Sequence, residues 1–251
     1  MWKIAGVLGI GSLLMLFVPV RADEDANLRE VVARAIKAQG GLDNLTKYKA
    51  SVVKEKGKFH GLGQALDFTG QTSIQLPDRI RVEVRFKVGD QGFTFFQVIG
   101  GNKGWTKIMD RTEEMNKEML DEAKEQLNAA NISHLVCLKD NGYKLSPLGE
   151  VKVGDRPAIG IRVEHKGYRD VNLFFDKDNG LLLKMETRGK DAMQGGQEFT
   201  STTLYQDYKK VDGMMIPHKA SIQRDGKPYV EGEVTEVKVS EKLDDNLFGK
   251  P

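Results

Sequence analysis

From Ala50 onward, apolar and polar residues alternate with a period of two over most of the chain. The clearest stretch is RIRVEVRFKV, residues 79–88, in which apolar and charged side chains occupy alternate positions. A strand places successive side chains on opposite faces, so this pattern predicts one apolar face and one hydrated face. The apolar positions of this strand are Ile80, Val82, Val84, Phe86 and Val88.

Short turn signals separate the alternating runs along the second half of the chain. Asp212-Gly213 and Asp225-Gly226 each stand between two such runs, and Asp-Gly in this position is a strong signal for a tight hairpin. Runs that follow one another so closely favour consecutive antiparallel hairpins over strand–helix–strand units. The pattern therefore predicts a mainly β protein built on an antiparallel sheet.

The segment before the first strand repeats with the helical period. An apolar stripe through Leu28 and Val32 predicts an amphipathic helix, which Gly40-Gly41 ends as a left-handed cap would. The next residues, 42–48, predict a short further helical turn. A helix of this kind has the apolar face needed to cover one side of a sheet.

A second helical pattern interrupts the strands at residues 110–136 and predicts a long helix that begins near Thr112. Its first turns carry two methionines, whose flexible thioether side chains suit an adaptable binding surface as well as plain packing. The predicted apolar stripe consists of Met115, Met119, Leu120, Ala123, Leu127 and Ala130.

An apolar sheet face covered by amphipathic helices either encloses a cavity or packs into a filled core, and the pattern fits both. For a cavity, we predict that the lining comes from the apolar strand positions, the following phenylalanines, a tryptophan and the helix methionines. These residues are Ile80, Val82, Val84, Phe86, Phe93, Phe95, Trp105, Met115 and Met119.

The N-terminus has the anatomy of a secretory signal peptide. Lys3 precedes an uncharged apolar run over residues 4–20, and Val20-Arg21-Ala22 offers a cleavage site after Ala22. The alternative is an uncleaved membrane anchor, for which the run is of marginal length. We predict that residues 1–22 are a signal peptide and that residues 23–251 form a single, soluble, periplasmic or secreted domain.

Charge argues against a nucleic-acid partner. The chain has 38 basic and 36 acidic residues, and loss of Lys3 and Arg21 with the signal would leave the two signs balanced. Nucleic-acid binding requires a basic face, which such a chain does not offer. The single cysteine, Cys137, lies in an apolar stretch and predicts a buried thiol.

The sequence offers no local pattern for catalysis. The four histidines, His60, His134, His165 and His218, include no pair at metal-ligand spacing. The serine-hydrolase motif G-x-S-x-G is also missing from the chain. We therefore predict a protein that is not an enzyme and that uses neither a metal nor a cofactor.

Several segments together resemble the superfamily of periplasmic outer-membrane lipoprotein carriers and sorting proteins, the LolA-like and LolB-like proteins. ARAIKAQGGLDNLTKYKA is similar to the opening helix, Gly-Gly and first strand of many members. NLFFDKDNGLLLKMETR and YQDYKKVDGMMIPHKASI resemble their later hairpins, and LDDNLFGKP resembles their usual ending. The order of these motifs along the chain is more specific than any one of them.

The resemblance implies a strongly curved antiparallel sheet, an incomplete barrel, covered by two or three α-helices around an apolar cavity. It also implies a ligand such as a lipid, an acyl chain or a lipoprotein, with no cofactor. We expect a soluble, monomeric, exported binding protein. Its partners would be the hydrophobic ligand or the acyl chains of lipoproteins, together with a protein of the cell envelope. The alternative is a structural or protein-interaction module of the envelope with a filled core and no ligand.

Overall fold

A computed structural model describes residues 20–88, 91–191 and 195–251. The predicted signal peptide, residues 1–22, lies outside these ranges except for its last three residues, so its prediction stays open. The expected fold class is confirmed: the described residues form 13 antiparallel strands in one curved sheet, with three α-helices. The helices are α1 (Val20–Gln39), α2 (Leu42–Lys47) and α3 (Lys117–Ser133), and short 3-10 helices span Val136–Lys139 and Asp245–Phe248.

The strands follow one another as hairpins on either side of α3. The first series is β1 (Ala50–Phe59), β2 (Leu66–Gln75), β3 (Arg79–Val88), β4 (Gln91–Gly100), β5 (Lys103–Ile108) and β6 (Arg111–Glu114). The second series is β7 (Tyr143–Val153), β8 (Arg156–His165), β9 (Val171–Asp176), β10 (Leu182–Asp191), β11 (Gln197–Val211), β12 (Met214–Arg224) and β13 (Lys227–Ser240).

The first and last strands join the two series into one sheet. β1 pairs with β13 from Ala50 opposite Ser240 to Phe59 opposite Val230. The order across the sheet is β6-β5-β4-β3-β2-β1-β13-β12-β11-β10-β9-β8-β7. The sheet is therefore not closed: β6 and β7 are its two edges, and α3 lies between them in the chain.

The end of α1 follows the sequence prediction. Gly40 and Gly41 both have positive φ, 132° and 87°, a conformation that glycine adopts without a steric cost. A side chain at Gly40 would also collide with the backbone of Gly213, which lies 2.7 Å from the position of its Cβ. The glycine pair thus ends α1 and lets the chain pass close to the β11–β12 turn.

The predicted start of α3 near Thr112 is wrong. Residues 111–114 instead form β6, which pairs with β5 and places Trp105 opposite Glu114. The helix begins at Lys117, and the side chain of Asn116 caps it by accepting a hydrogen bond of 2.9 Å from the backbone N–H of Met119. Thr and Glu favour a helix start, but pairing with β5 determines their structure here.

The main core lies on one face of the sheet, where α1, α3 and the 3-10 helix at Val136–Lys139 pack against β7–β10 and β12. We call this side the helix face and the other side the outer face. Buried core residues on it include Leu28, Val32, Ile132, Leu138, Ile161, Val163, Leu173 and Phe175. Far fewer buried residues lie on the helix face of β1–β4.

Candidate ligand-binding site

Six of the nine predicted lining residues lie together on the helix face of β3 and β4. The register between these strands is regular, with Val84 opposite Phe95 and Phe86 opposite Phe93. Because alternate residues share a face, all six lie on the same side as Ile99, which packs against α3. The six residues are Ile80, Val82, Val84, Phe86, Phe93 and Phe95, and each is half-buried.

Trp105 does not join them. It pairs with Val98 of β4, and Val98 lies one residue from Ile99 and so on the outer face. Gly104, not Trp105, faces α3, where a Cβ would lie 2.6 Å from the sulfur atom of Met115. The short run KGWTKI does not show which residues of β5 form its apolar face. The orientation of β5 is determined by the need for a small residue, Gly104, beneath α3.

The two methionines of α3 lie at the edge of this surface. Met115 is buried with Ile99 and Ala123, and Met119 packs against the same cluster with Ile80. The N-terminal end of α3 therefore covers the Ile80 end of β3. The ligand-binding role of these positions stays a prediction.

Aromatic side chains form a continuous row across the far end of the helix face. The Phe86 ring stacks on Phe93 at a centroid distance of 4.9 Å and lies 5.3 Å from Phe59. Phe59 in turn meets Tyr229 edge-on at 5.1 Å. Arg224 continues the row, with its guanidinium 3.6 Å from the Tyr229 ring and 4.0 Å from the Phe199 ring. We call Phe59, Phe86, Phe93, Phe199 and Tyr229 the aromatic band.

A cleft of about 270 Å³ lies between α3 and the helix face of β9–β13. It adjoins the aromatic band, because Phe199 and Tyr229 line both. Among the described residues that line this α3 cleft, none belongs to the nine predicted from the sequence. Its apolar wall consists of Ala129, Val171, Met185, Phe199, Ile222 and Tyr229.

A salt bridge holds α3 over one side of the cleft. The guanidinium of Arg169 donates two hydrogen bonds to the Glu122 carboxylate, at 3.0 and 2.7 Å, and a third to the carbonyl of Arg188. The backbone N–H of Arg169 also donates to Glu125. The Glu122 carboxylate raises the pKa of Arg169 further above its usual range. Bidentate pairs of this geometry are strong, so the contact fixes α3 on the sheet.

A second arginine forms the opposite side of the cleft. Arg224 donates a hydrogen bond of 3.2 Å to the Asp191 carboxylate while its guanidinium lies between the rings of Phe199 and Tyr229. Stacking of this kind orients a guanidinium and shields it from water. Arg169 and Arg224 are thus paired with acids. The rest of the wall is mixed, since polar residues such as Gln126, Ser201 and Thr203 line it beside the apolar ones.

The histidines do not assemble into a reaction centre. In the described part of the chain, no group of three or more His, Cys, Asp or Glu side chains is placed to hold a metal ion. His165 stacks on Tyr143 and Tyr168, with Nδ1 2.8 Å from the Asn128 side-chain oxygen. His60, His134 and His218 approach Glu231, the Tyr48 carbonyl and the Ile216 carbonyl, respectively.

The Cys137 thiol is half-buried beside α3, and its Sγ lies 3.4 Å from the Asn131 carbonyl oxygen. Burial raises the pKa of this thiol to about 11. A thiol that stays protonated at neutral pH is a poor nucleophile. The thiol predicted to be buried is therefore half-buried, and its raised pKa disfavours a nucleophilic role.

Comparison with known proteins identifies the fold. No family model matches the chain, and no curated protein matches it. Among solved structures, a LolA superfamily protein from Nitrosomonas europaea is 12% identical with a TM-score of 0.57, over 88% of this chain and 97% of that chain. A putative outer membrane lipoprotein-sorting protein domain from Vibrio parahaemolyticus is 12% identical with a TM-score of 0.54, over 87% and 94%.

A third similar structure, a protein from Desulfovibrio piger in a family of unknown function, is 13% identical with a TM-score of 0.55, over 88% of this chain and 96% of that chain. At these identities the likeness establishes the fold alone, and the chain has a LolA-like fold. Within the ranges that the structure describes, no helix is both long and apolar enough to cross a membrane.

Proposed function

We propose that this chain is an exported binding protein that holds the acyl chain of a lipid or lipoprotein against the helix face of its sheet. The observation that carries the proposal is the aromatic band, which runs across β4, β3, β1, β13 and β11 and leads into the α3 cleft. An aromatic row on the partly covered face of a curved sheet offers a long apolar contact. Such a contact suits a flexible, extended, hydrophobic ligand better than a compact one.

Size supports an occupant that extends beyond the cleft. A cleft of about 270 Å³ falls below the usual range for sites that enclose a drug-sized ligand, roughly 300 to 1,000 Å³. A chain seated in the cleft and continuing over the band would bury more apolar surface, and each buried methylene contributes about 0.8 kcal/mol. The half-buried Val82, Val84 and Phe95 extend the same surface.

No chemical step is needed for this function. Glu122 pairs with Arg169 and holds α3, Asp191 pairs with Arg224 between β10 and β12, and the Cys137 thiol has a raised pKa. We infer a carrier or binding protein and not an enzyme. The LolA-like fold supports this inference, and one similar structure is described as a putative lipoprotein-sorting domain.

Export and organisation belong to the same proposal. Residues 1–22 serve as the signal peptide, cleavage near Ala22 releases a soluble periplasmic or secreted protein, and residues 23–251 act as one monomeric domain. The continuous sheet from β6 to β7 supports a single domain, because β1 and β13 pair at its centre. Acyl chains would be handed over by, or delivered to, a partner in the cell envelope.

Native mass spectrometry of the protein purified from the cell envelope tests the proposal, with lipid analysis of the denatured sample. We expect a bound lipid whose occupancy falls several-fold in Phe86→Ser, which removes the centre of the aromatic band. Phe96→Ser is the matched control, because Phe96 lies on the same hairpin but on the outer face, near Arg81.

A protein without any bound lipid, in either sample, would favour the alternative of an interaction module with a filled core. Equal losses of lipid in Phe86→Ser and Phe96→Ser would argue that the helix face is not the binding surface.

A further inference from the structure

A single carboxylate interrupts the apolar helix face at the centre of the sheet. Glu55 of β1 lies opposite Gly70 of β2 and Val234 of β13. Gly70 and Val84 are also directly opposite each other in the next pair of strands. Since Val84 and Phe59 lie on the helix face, Glu55 shares that face with both.

Glu55 is half-buried and has no partner in the part of the chain that the structure describes. Among the described residues, none forms a hydrogen bond or ion pair with this side chain, whereas Glu122 and Asp191 are both paired with arginines. Burial is what raises the pKa of Glu55 above its usual range. A half-buried carboxylate on an apolar face keeps only part of its hydration, so a hydrogen-bond donor of opposite charge at this position would be favourable.

Two glycines of the adjacent strands, Gly70 of β2 and Gly232 of β13, lie beside this carboxylate, and Gly57 lies two residues from it on β1. Gly57 faces Gly232 across the β1–β13 pair, and Gly70 faces Glu55 across the β1–β2 pair. A Cβ at Gly232 would lie 3.1 Å from Oε2 of Glu55, and one at Gly70 would lie 3.4 Å from Oε1. Glycine weakens the interior of a strand, and it often marks a place where a ligand approaches closely.

The chemistry of this position selects its ligand. A second anion would be repelled by the carboxylate, and a hydroxyl group would donate one hydrogen bond but leave the negative charge uncompensated. An ammonium group supplies both donors and the opposite charge, and such charge-assisted hydrogen bonds are roughly twice as strong as neutral ones. Phe59 lies four residues further along β1, about 13 Å away, so a chain anchored at Glu55 reaches the aromatic band.

We propose that Glu55 is the headgroup site of the ligand and that it binds a primary ammonium group of a cationic-headed amphiphile. This inference rests on the proposed function, because the acyl chain of the same molecule lies along the aromatic band. Gly70 and Gly232 leave room for the Glu55 carboxylate itself on the helix face, so neither of these positions places a side chain over it.

Three amphiphiles of equal chain length test the proposal by isothermal titration calorimetry at pH 7.4, with the amine and the carboxylate below their critical micelle concentrations and the alcohol below its solubility limit. The probes are dodecylamine, dodecanol and dodecanoate, and the protein is the purified exported chain. We expect dodecylamine to bind at least about tenfold more tightly than dodecanol, and dodecanoate to bind most weakly.

The variant Glu55→Gln should lose this preference and bind dodecylamine and dodecanol alike. Glu233→Gln is the matched control, because Glu233 lies next to Gly232 but points to the outer face, opposite Lys219; it should keep the preference. Thermal unfolding of both variants verifies that they are folded.

Three outcomes separate a failure of the headgroup site from a failure of the proposed function. Equal binding of dodecanoate and dodecylamine by the wild-type protein would overturn the headgroup site but leave an acyl-chain carrier intact. Retention of the amine preference in Glu55→Gln would also overturn it. Binding of none of the three probes would overturn the proposed function, and the headgroup site with it.

Discussion

The two halves of the helix face carry the same sequence pattern but differ in how they are covered. In β9, Val171, Leu173 and Phe175 alternate with other residues, and all three are 2% exposed or less. In β3, Val82 and Phe86 occupy equivalent alternate positions and remain half-buried. The difference lies in the helices: α1 and α3 pack mainly over β7, β9, β10 and β12. Alternation thus identifies the apolar face of a strand, but the helices determine whether that face becomes a buried core or stays half-buried.

A charge placed on each half should give the largest contrast. Val163 is fully buried in the main core, so Val163→Asp is expected to cost more than about 4 kcal/mol by burying an unpaired charge. Val82→Asp, on the half-buried surface of β3, should cost about 1 to 2 kcal/mol. Urea denaturation measures both. Similar losses from the two variants would mean that β3 belongs to a filled core.

Replacing one phenylalanine in each half by alanine should also destabilise the main core more than β3, but with a smaller difference in the free energy of unfolding. Phe175→Ala leaves a cavity in the main core and should destabilise the fold by about 3 to 5 kcal/mol. Phe86→Ala removes a half-buried ring whose space solvent can reach, and we expect about 1 to 2 kcal/mol. Calorimetric unfolding of each variant gives the two values. A cost for Phe86→Ala that matches Phe175→Ala would contradict the division of the helix face into two halves.

The salt bridge that holds α3 can be tested on the border between the halves. Glu122→Ala leaves the partly buried Arg169 without its bidentate partner and should cost about 1 to 3 kcal/mol. Asp121→Ala is the adjacent control on α3, because Asp121 pairs with Lys117 on the exposed side of the helix and such pairs contribute about 0 to 1 kcal/mol. Hydrogen exchange of α3 would show the loosening directly. Unchanged exchange in Glu122→Ala would mean that apolar packing alone positions the helix.

The smallest effect on stability is expected from a change of pH, through His134 at the C-terminal end of α3. Burial lowers the pKa of His134, whose Nε2 lies 3.3 Å from the Tyr48 carbonyl oxygen. A histidine with a lowered folded pKa contributes stability above its unfolded pKa, roughly 6.5, and loses it as pH falls through the folded pKa. The free energy of unfolding should therefore decrease between pH 7.5 and pH 5, and less steeply in His134→Gln. An identical slope in the variant would assign the decrease to other groups.

The sequence predicted the fold well wherever a local pattern determines the structure. The alternation in residues 79–88 and the Asp-Gly turns predicted the strands and their antiparallel pairing. Local signals were misleading where pairing overrides them: Thr112 and the glutamates after it favour a helix start, yet they form the edge strand β6. Trp105 lies on the outer face, apart from the other predicted lining residues on β3 and β4, because the phase of so short a strand depends on its neighbours.

The α3 cleft was not predicted, because no local signal says where on a sheet a helix docks. Its residues lie in strands that the pattern did identify, and Phe199, Ile222 and Tyr229 are apolar positions within them. The close contact between Arg224, Phe199 and Tyr229 joins three strands. Finding this contact from the sequence would have required the pairing register of β11, β12 and β13. Glu55 offered one signal, as an acid in the same alternating phase as Phe59.

The pairing of β1 with β13 has a consequence for how this molecule folds. Among the described strands, every other pair joins consecutive strands, whereas Ala50 must find Ser240 near the opposite end of the chain. Contacts between residues so far apart in the sequence form late and slow the folding reaction. The first series of strands, β1–β6, and the second series, β7–β13, are therefore expected to form first as separate hairpin arrays. The face that carries Glu55 and the aromatic band exists only once the two series have joined.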